Sequence, residues 1–272
     1  MERGSNTLPR VKLATFIPPG GGDPRSGEVR GDQLVQFAAR ESVLDRLRSG
    51  DRSPATGSAY ALSDVTLLAP HTPRAIFGIG LNYRAHAAEQ GKEPPEFPIV
   101  FMKLPSSVVA PGGPVRIPPV VRRLDYEGEL AVVMGCDGKV AGYAVADDVS
   151  ARDLQRREPQ WTRAKGADTF CPLGPWVTTA DEIADPEALA LRTWVNGELR
   201  QDATTADLVF SIPQLVGFIS ETITLEAGDV ILTGTPSGVG FALDPPSFLC
   251  AGDVVRIAIE GLGAIEHGFV DG

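Results

Sequence analysis

Glu127 and Glu129, two positions apart in Leu124-Asp125-Tyr126-Glu127-Gly128-Glu129-Leu130, are the residues of this chain best suited to hold a cation. Along an extended strand successive side chains alternate, so Asp125, Glu127 and Glu129 share one face while Leu124, Tyr126 and Leu130 take the other. Carboxylates within about 5 Å of one another repel, and a cation, a proton or water must relieve them. One of Asp147 and Asp148 would complete an all-oxygen site of three carboxylates, a donor set that favours magnesium or manganese. The same alternation also suits a solvated strand face, and the aspartate pair a turn or helix entry.

His86 and Glu89 stand three apart, so on a helix they share a face and the carboxylate can hold the imidazole in one tautomer, as a water-activating base requires. An isolated histidine of the surface or core has the same local sequence. Arg152, Gln155, Arg163 and Lys165 follow the aspartates and can bind a substrate carboxylate, or can form an ordinary charged helix face. Thr233-Gly234-Thr235-Pro236-Ser237-Gly238-Val239-Gly240 lacks the lysine of a phosphate-binding loop, which leaves a close backbone approach to a small ligand or a plain tight turn.

The elements that must position these groups are short. Val11 to Ile17 reads as a strand, Glu28 to Val35 as a hairpin about Gly31-Asp32, and Ser42 to Ser49 as a helix capped by Ser42 and stopped at Gly50. Ala69 to Pro73 reads as a linker with His71 at the surface. Ala75 to Gly80 is a strand, Leu81 to Gln90 a short helix and Ile99 to Lys103 a further strand. The pair Gly78 and Gly80 begins like a dinucleotide fingerprint, but Tyr83 occupies the third glycine position. Glu129 to Gly135 and Val140 to Ala146 form a hairpin about Asp137-Gly138, and Ser150 caps a helix with Asp153 three residues on. Trp194 to Leu199 is a hairpin, Ser211 opens a helix to Ile219, and strands at Val230 to Thr233, Val254 to Ile259 and Ala264 to Val270 follow. Many short strands with few long helices predict a mixed α/β, β-rich roll or sandwich.

The 272 residues carry a formal charge of -10, which argues against nucleic acid or an anionic membrane as partner. Met1 to Ser5 lacks the apolar core of a signal peptide and no apolar run approaches a membrane span, so the expected compartment is cytoplasmic. Cys136, Cys171 and Cys250 are widely separated and suggest neither a disulfide framework nor a zinc site.

In order along the chain, Gly80-Leu81-Asn82-Tyr83 with His86 and Glu89, Asp125 to Leu130, Asp148 to Gln155, Lys165, and Thr233 to Gly240 resemble the motifs of the fumarylacetoacetate hydrolase family, over roughly residues 73 to 272. The resemblance implies a homodimer with a small N-terminal β-rich domain at 1–70 and a mixed β-roll catalytic domain at 73–272. It implies Mg2+ or Mn2+ on Glu127, Glu129 and Asp148, a catalytic set of His86, Glu89 and Lys165, and substrate contacts from Arg152, Gln155 and Thr235. Ile79 stands where fumarylacetoacetases proper have a further aspartate ligand. The chain is therefore similar to the smaller branch of acylpyruvate hydrolases, oxaloacetate decarboxylases and homoprotocatechuate-pathway decarboxylase/isomerases. Gly166 and Asp147 replace the common Ser and Asn and bear on the substrate. The leading expectation is metal-dependent hydrolysis of a carbon-carbon bond in an acylpyruvate or other 2,4-dioxo acid, with water activated by His86 and a metal-stabilised enolate. Oxaloacetate-type decarboxylation and isomerisation of a 2-hydroxyhepta-2,4-diene-1,7-dioate type of substrate are the alternatives. A ligand-binding homologue without turnover is the reading from another class.

Overall fold

A computed structural model describes residues 11–38 and 40–272. The leader reading of Met1 to Ser5 lies outside the described residues. In chain order the strands are β1 (Lys12–Ile17), β2 (Arg25–Arg30), β3 (Gln33–Gln36), β4 (Ala59–Ala61), β5 (Thr66–Leu68), β6 (Ile76–Gly80), β7 (Ile99–Lys103), β8 (Val108–Val109), β9 (Val115–Ile117) and β10 (Leu124–Asp125). They continue as β11 (Gly128–Met134), β12 (Val140–Asp147), β13 (Ser150–Ala151), β14 (Cys171–Thr179), β15 (Ala190–Val195), β16 (Glu198–Thr204), β17 (Val230–Leu232), β18 (Val254–Ile259) and β19 (Gly263–Asp271). The helices are short: α1 (Val43–Ser49), α2 (Arg84–Glu89), α3 (Arg152–Arg157), α4 (Thr162–Lys165) and α5 (Ile212–Ser220). None of the described helices is long and apolar enough to cross a membrane.

One large sheet runs in the order β4-β3-β2-β1-β14-β12-β11-β17-β6-β7, and a second in the order β16-β15-β18-β19-β9. Strand β11 is buried along its whole length, because both of its faces are covered. Leu130, Val132 and Met134 join a core with Leu191, Ile257 and Phe269 of the second sheet. Ala131 and Val133, on the opposite face, pack instead with Leu13, Val43, Leu47 and Val177. The period of two thus sorts one strand's side chains into two cores. Strand β1 pairs with β14, Leu13 opposite Val177, so the large sheet continues across the 70–73 segment into the first seventy residues.

Local turn signals behave as their residues dictate. Asp137-Gly138 and Asn196-Gly197 both take positive φ at the tips of hairpins. Ser42 and Ser211 each close a capping box on α1 and α5. Two local expectations give way to tertiary structure. Ser150 does not cap α3, whose N-cap is Ala151; it pairs in β13 opposite Asp125, and its hydroxyl donates to the Asp148 carbonyl. His71 is buried rather than at the surface, because the 69–73 segment packs on the turn before β17 and its Nε2 lies 2.8 Å from the Gly228 carbonyl oxygen.

Candidate active site

Strand pairing is interrupted in the middle of the acidic stretch. Between β10 and β11 the chain leaves the ladder at Tyr126 and Glu127, and this break decides where each carboxylate goes. Asp125 does not stay in a row with the two glutamates as the alternation suggested. It turns to the loop after β17, accepting from the Gly240 N–H at 2.8 Å and the Phe241 N–H at 3.1 Å, and from Arg152 Nε at 2.8 Å. Glu127, Glu129 and Asp148 do converge: all are buried, and each offers a ligand atom within 4.8 Å of the others.

The hairpin of β11 and β12 explains the convergence. The Asp148 N–H donates to the Glu127 carbonyl at 2.9 Å, and the Glu127 N–H donates to Asp147 Oδ1 at 2.9 Å. The aspartate pair is divided by this pairing. Asp148 faces the cluster, while Asp147 meets His267 Nε2 at 2.9 Å on the other side. Gly128, between the glutamates, lies under the second sheet, where a Cβ would come within 2.3 Å of Thr193 Oγ1. Only a residue without a side chain allows this end of β11 to pack there.

Three cations face the cluster. Lys165 Nζ donates to Asp148 Oδ2 at 2.7 Å and to Glu127 Oε2, and Arg152 Nη2 lies 2.7 Å from Glu127 Oε1. Lys103, which the sequence reading passed over as the end of an apolar strand, is buried and donates to Asp148 Oδ1 and to the Lys165 carbonyl. Burial works to raise the Glu127 pKa, but Arg152, Lys165 and His86 outweigh it and hold the carboxyl well below the usual range. Glu129 goes the other way. Burial, then the charges of Asp148 and Glu127, push its carboxyl far up, and one N–H, that of Gly234 at 2.7 Å, donates to it. Burial also disfavours the Lys165 ammonium, yet Asp148 and Glu127 hold its pKa above the ordinary value.

This donor set fits a hard divalent cation. The three converging groups are all carboxylates, and the raised Glu129 carboxyl marks negative charge that the neighbouring cations leave uncompensated.

His86 and Glu89 sit on α2 as their spacing predicts, with His86 Nδ1 2.5 Å from Glu89 Oε1. The second Glu89 oxygen accepts from the Gly238 N–H at 2.9 Å. Gly238 has φ +100°, and a Cβ there would meet the Arg200 carbonyl oxygen at 2.0 Å. The glycine-rich loop therefore approaches the protein's own carboxylates closely: Gly234 serves Glu129, Gly238 serves Glu89, and Gly240 serves Asp125.

His86, Glu127, Glu129, Arg152, Gln155, Lys165 and Thr235 line one cavity of about 310 Å3, with Asp148 and Glu89 holding its lining groups from behind. Gln155 accepts from Arg152 Nη1 at 3.1 Å, and Thr235 accepts from Gln201 Nε2 at 2.8 Å while donating to the Gly128 carbonyl. Arg163 stays outside, exposed and paired with Glu158. Sequence reasoning missed Gln90, Trp161 and Phe241, which also line it. Phe241 stacks on Arg152, its ring centroid 4.4 Å from Cζ, a pairing that no local pattern announces.

A family model described as fumarylacetoacetate (FAA) hydrolase C-terminal matches residues 75–270. The chain is 48% identical over 218 residues to a mitochondrial oxaloacetate tautomerase of Xenopus laevis, covering 75% of this chain and 68% of that one. It is 46% identical over 223 residues to an oxaloacetate tautomerase of Bacillus subtilis, covering 76% and 74%. Among solved structures, a maleylpyruvate hydrolase from Sphingobium in complex with manganese(II) and pyruvate is similar at a TM-score of 0.76 and 31% identity, covering 96% of this chain and 99% of that one. With its motifs gathered in one cavity and the match running from β6 through β19, the chain belongs to the fumarylacetoacetate hydrolase family and is an enzyme of that family.

Proposed function

We propose that this enzyme interconverts the enol and keto forms of a 2-oxo dicarboxylate of oxaloacetate's size, with Glu127, Glu129 and Asp148 holding Mg2+ or Mn2+. The observation that carries the reading is His86, held by Glu89, on the wall of a small cavity that is also lined by Glu127 and Glu129 of the carboxylate cluster. The names of relatives at 46–48% identity support the substrate class. When bound, the ion supplies Lewis-acid charge that favours loss of a proton from the substrate.

The remaining work falls to the chain. Glu127, Glu129 and Asp148 oppose Lys103 and Lys165, with Arg152 shared between Asp125 and Glu127, so one formal negative charge is left over. With a divalent cation held there the sign would be reversed, and the cavity would suit an anion. Glu89 accepts from Nδ1–H of His86, which leaves Nε2 with its lone pair. Nε2 takes the enol O–H proton, Glu89 stabilises the imidazolium, and a proton returned to C3 gives the ketone. One proton leaves oxygen and one reaches carbon, so neither water nor an oxidant is consumed.

Loss of ultraviolet absorbance by enol-oxaloacetate tests the reading. His86→Ala should slow turnover by roughly 100- to 10,000-fold with metal still bound. Enol decay no faster than with free Mg2+ in buffer would overturn it. Hydrolysis of an acylpyruvate is the second reading, because the same Nε2 can accept a proton from water and a maleylpyruvate hydrolase shares the architecture. Pyruvate release from acylpyruvates, measured on the same metal-loaded protein, separates the two.

A further inference from the structure

At the C-terminal end of α2, Gln90 lies one helical turn beyond His86 and so on the same face. Its Nε2 is 2.8 Å from His86 Nε2, and its Oε1 is 3.2 Å from Lys92 Nζ. These contacts form a directional chain. The Lys92 ammonium can only donate, so its exposed contact favours the Gln90 carbonyl outward and the amide N–H2 inward. Glu89, an acceptor whose second oxygen takes the Gly238 N–H, requires a proton on His86 Nδ1. A neutral imidazole then has only an acceptor at Nε2, and Gln90 offers it a donor. Donors and acceptors match at each step from Lys92 to Gly238 only if His86 is neutral.

We infer that Gln90 is a positioning residue for the base: its amide keeps the lone pair of His86 Nε2 available and stands where the substrate's hydroxyl will donate. This rests on the reading of His86 as the base. Protonation of Nε2 would set N–H against N–H2, so Gln90 disfavours the imidazolium in the free enzyme. Glu89 on the same helix and Glu127 and Glu129 across the cavity favour it, while Lys92 on the near side and Arg152, Arg156 and Lys165 of α3 and α4 oppose it. A substrate hydroxyl replaces one donor by another, so entry costs His86 no hydrogen bond.

The test uses Gln90→Met, which removes the donor, and Gln90→Glu, which replaces it with an acceptor, both in the Mg2+-loaded full chain. The chain has three histidines, so side-chain nitrogen NMR can follow His86 directly, with its signal identified by its absence in His86→Asn. In the wild type without substrate, neutral His86 should carry its proton on Nδ1. Its titration should move to higher pH in Gln90→Met and further in Gln90→Glu. The acidic limb of kcat/KM should move with it, by about tenfold in activity per pH unit on that limb. Above the limb, where His86 is neutral in both proteins, kcat/KM of Gln90→Met should become independent of pH, as in the wild type, whatever its height. A displaced limb of this kind is not produced by a merely structural loss, which lowers activity by the same factor at every pH. An Nε2-protonated wild type, or variants with unshifted titrations and parallel profiles, would overturn the inference. If the titrations shift as expected but His86→Ala turns over normally, Gln90 retains its effect on His86 and the functional reading fails instead.

Discussion

A buried carboxylate stands at each end of strand β11, Glu129 within it and Asp229 in the turn beside Met134, and the two are built on opposite principles. At the far end Asp229, fully buried, accepts from the Glu226 N–H at 2.8 Å, the Ala75 N–H at 3.2 Å and Arg74 Nη2 at 2.6 Å. Its charge is consumed in joining the turn before β17 to the entry of β6. At the near end Glu129 has one backbone donor and faces Asp148 and Glu127, whose charges add to burial in pushing its carboxyl up. Burial alone therefore does not distinguish a carboxylate set among other carboxylates from one saturated by donors. The distinguishing feature is what its oxygens face: N–H groups in one case, other carboxylates in the other.

If that contrast is right, substitutions at the two ends should have opposite signatures. Glu129→Gln should lower metal affinity by more than about 100-fold, since loss of even a supporting group around a metal typically costs 10- to 100-fold. The metal-free variant should be at least as stable as the parent, because a repelling charge has gone. Isothermal titration with Mn2+ and urea unfolding measure both sides, and normal Mn2+ binding would break the comparison. Asp229→Ala should do the reverse. It strands the buried Ala75 N–H and the part-buried Glu226 N–H and should cost about 1 to 3 kcal/mol of stability in urea, with Mn2+ affinity unchanged in the folded fraction.

Glu28 sharpens the structural side of the contrast with a smaller effect. Burial tends to raise its carboxyl, but the Arg30 guanidinium at 2.6 Å and the Ala55 N–H at 3.0 Å prevail and hold it below the ordinary value of 4.5. A depressed folded-state pKa means that the stabilisation is present above the unfolded value and is lost as pH falls through the folded one. Glu28→Gln should thus cost about 1 kcal/mol at neutral pH, and the gap to the parent should narrow in urea titrations below pH 4.5. A gap that widens on acidification would contradict this sign.

The pairing of Glu127 with Glu129 and of His86 with Glu89 was legible because it is written in residue type and in spacings set by the backbone, whereas residue type and spacing left Asp147 and Asp148 open as the third carboxylate. Two glutamates at i and i+2 must share a face if the chain is extended, and a histidine and glutamate at i and i+3 must share one if it is helical. Asp125 shows the limit of that reasoning. It obeys the same parity as Glu127 and Glu129, yet the ladder breaks between β10 and β11 and its carboxylate leaves for the Gly240 loop. Parity holds only within an unbroken strand, and whether a strand continues depends on its neighbours.

What the sequence by itself determined is local: the hairpin tips at Asp137-Gly138 and Asn196-Gly197, the caps at Ser42 and Ser211, the alternation that sorts β11 between two cores, and the residue types at the site. Each depends on contacts a few positions apart. The tertiary structure alone decided the long-range pairings. It set Lys103 against Asp148, Asp147 against His267 and Phe241 against Arg152, and joined β1 to β14 across more than half the chain. Nothing in the neighbours of Lys103 marks it as buried. A lysine ending an apolar strand looks like one reaching for solvent, and it stays inside only because a carboxylate forty-five positions later arrives to meet it. The partner is supplied by sheet order and register, which arise from the simultaneous packing of all the strands and are not written in any single segment.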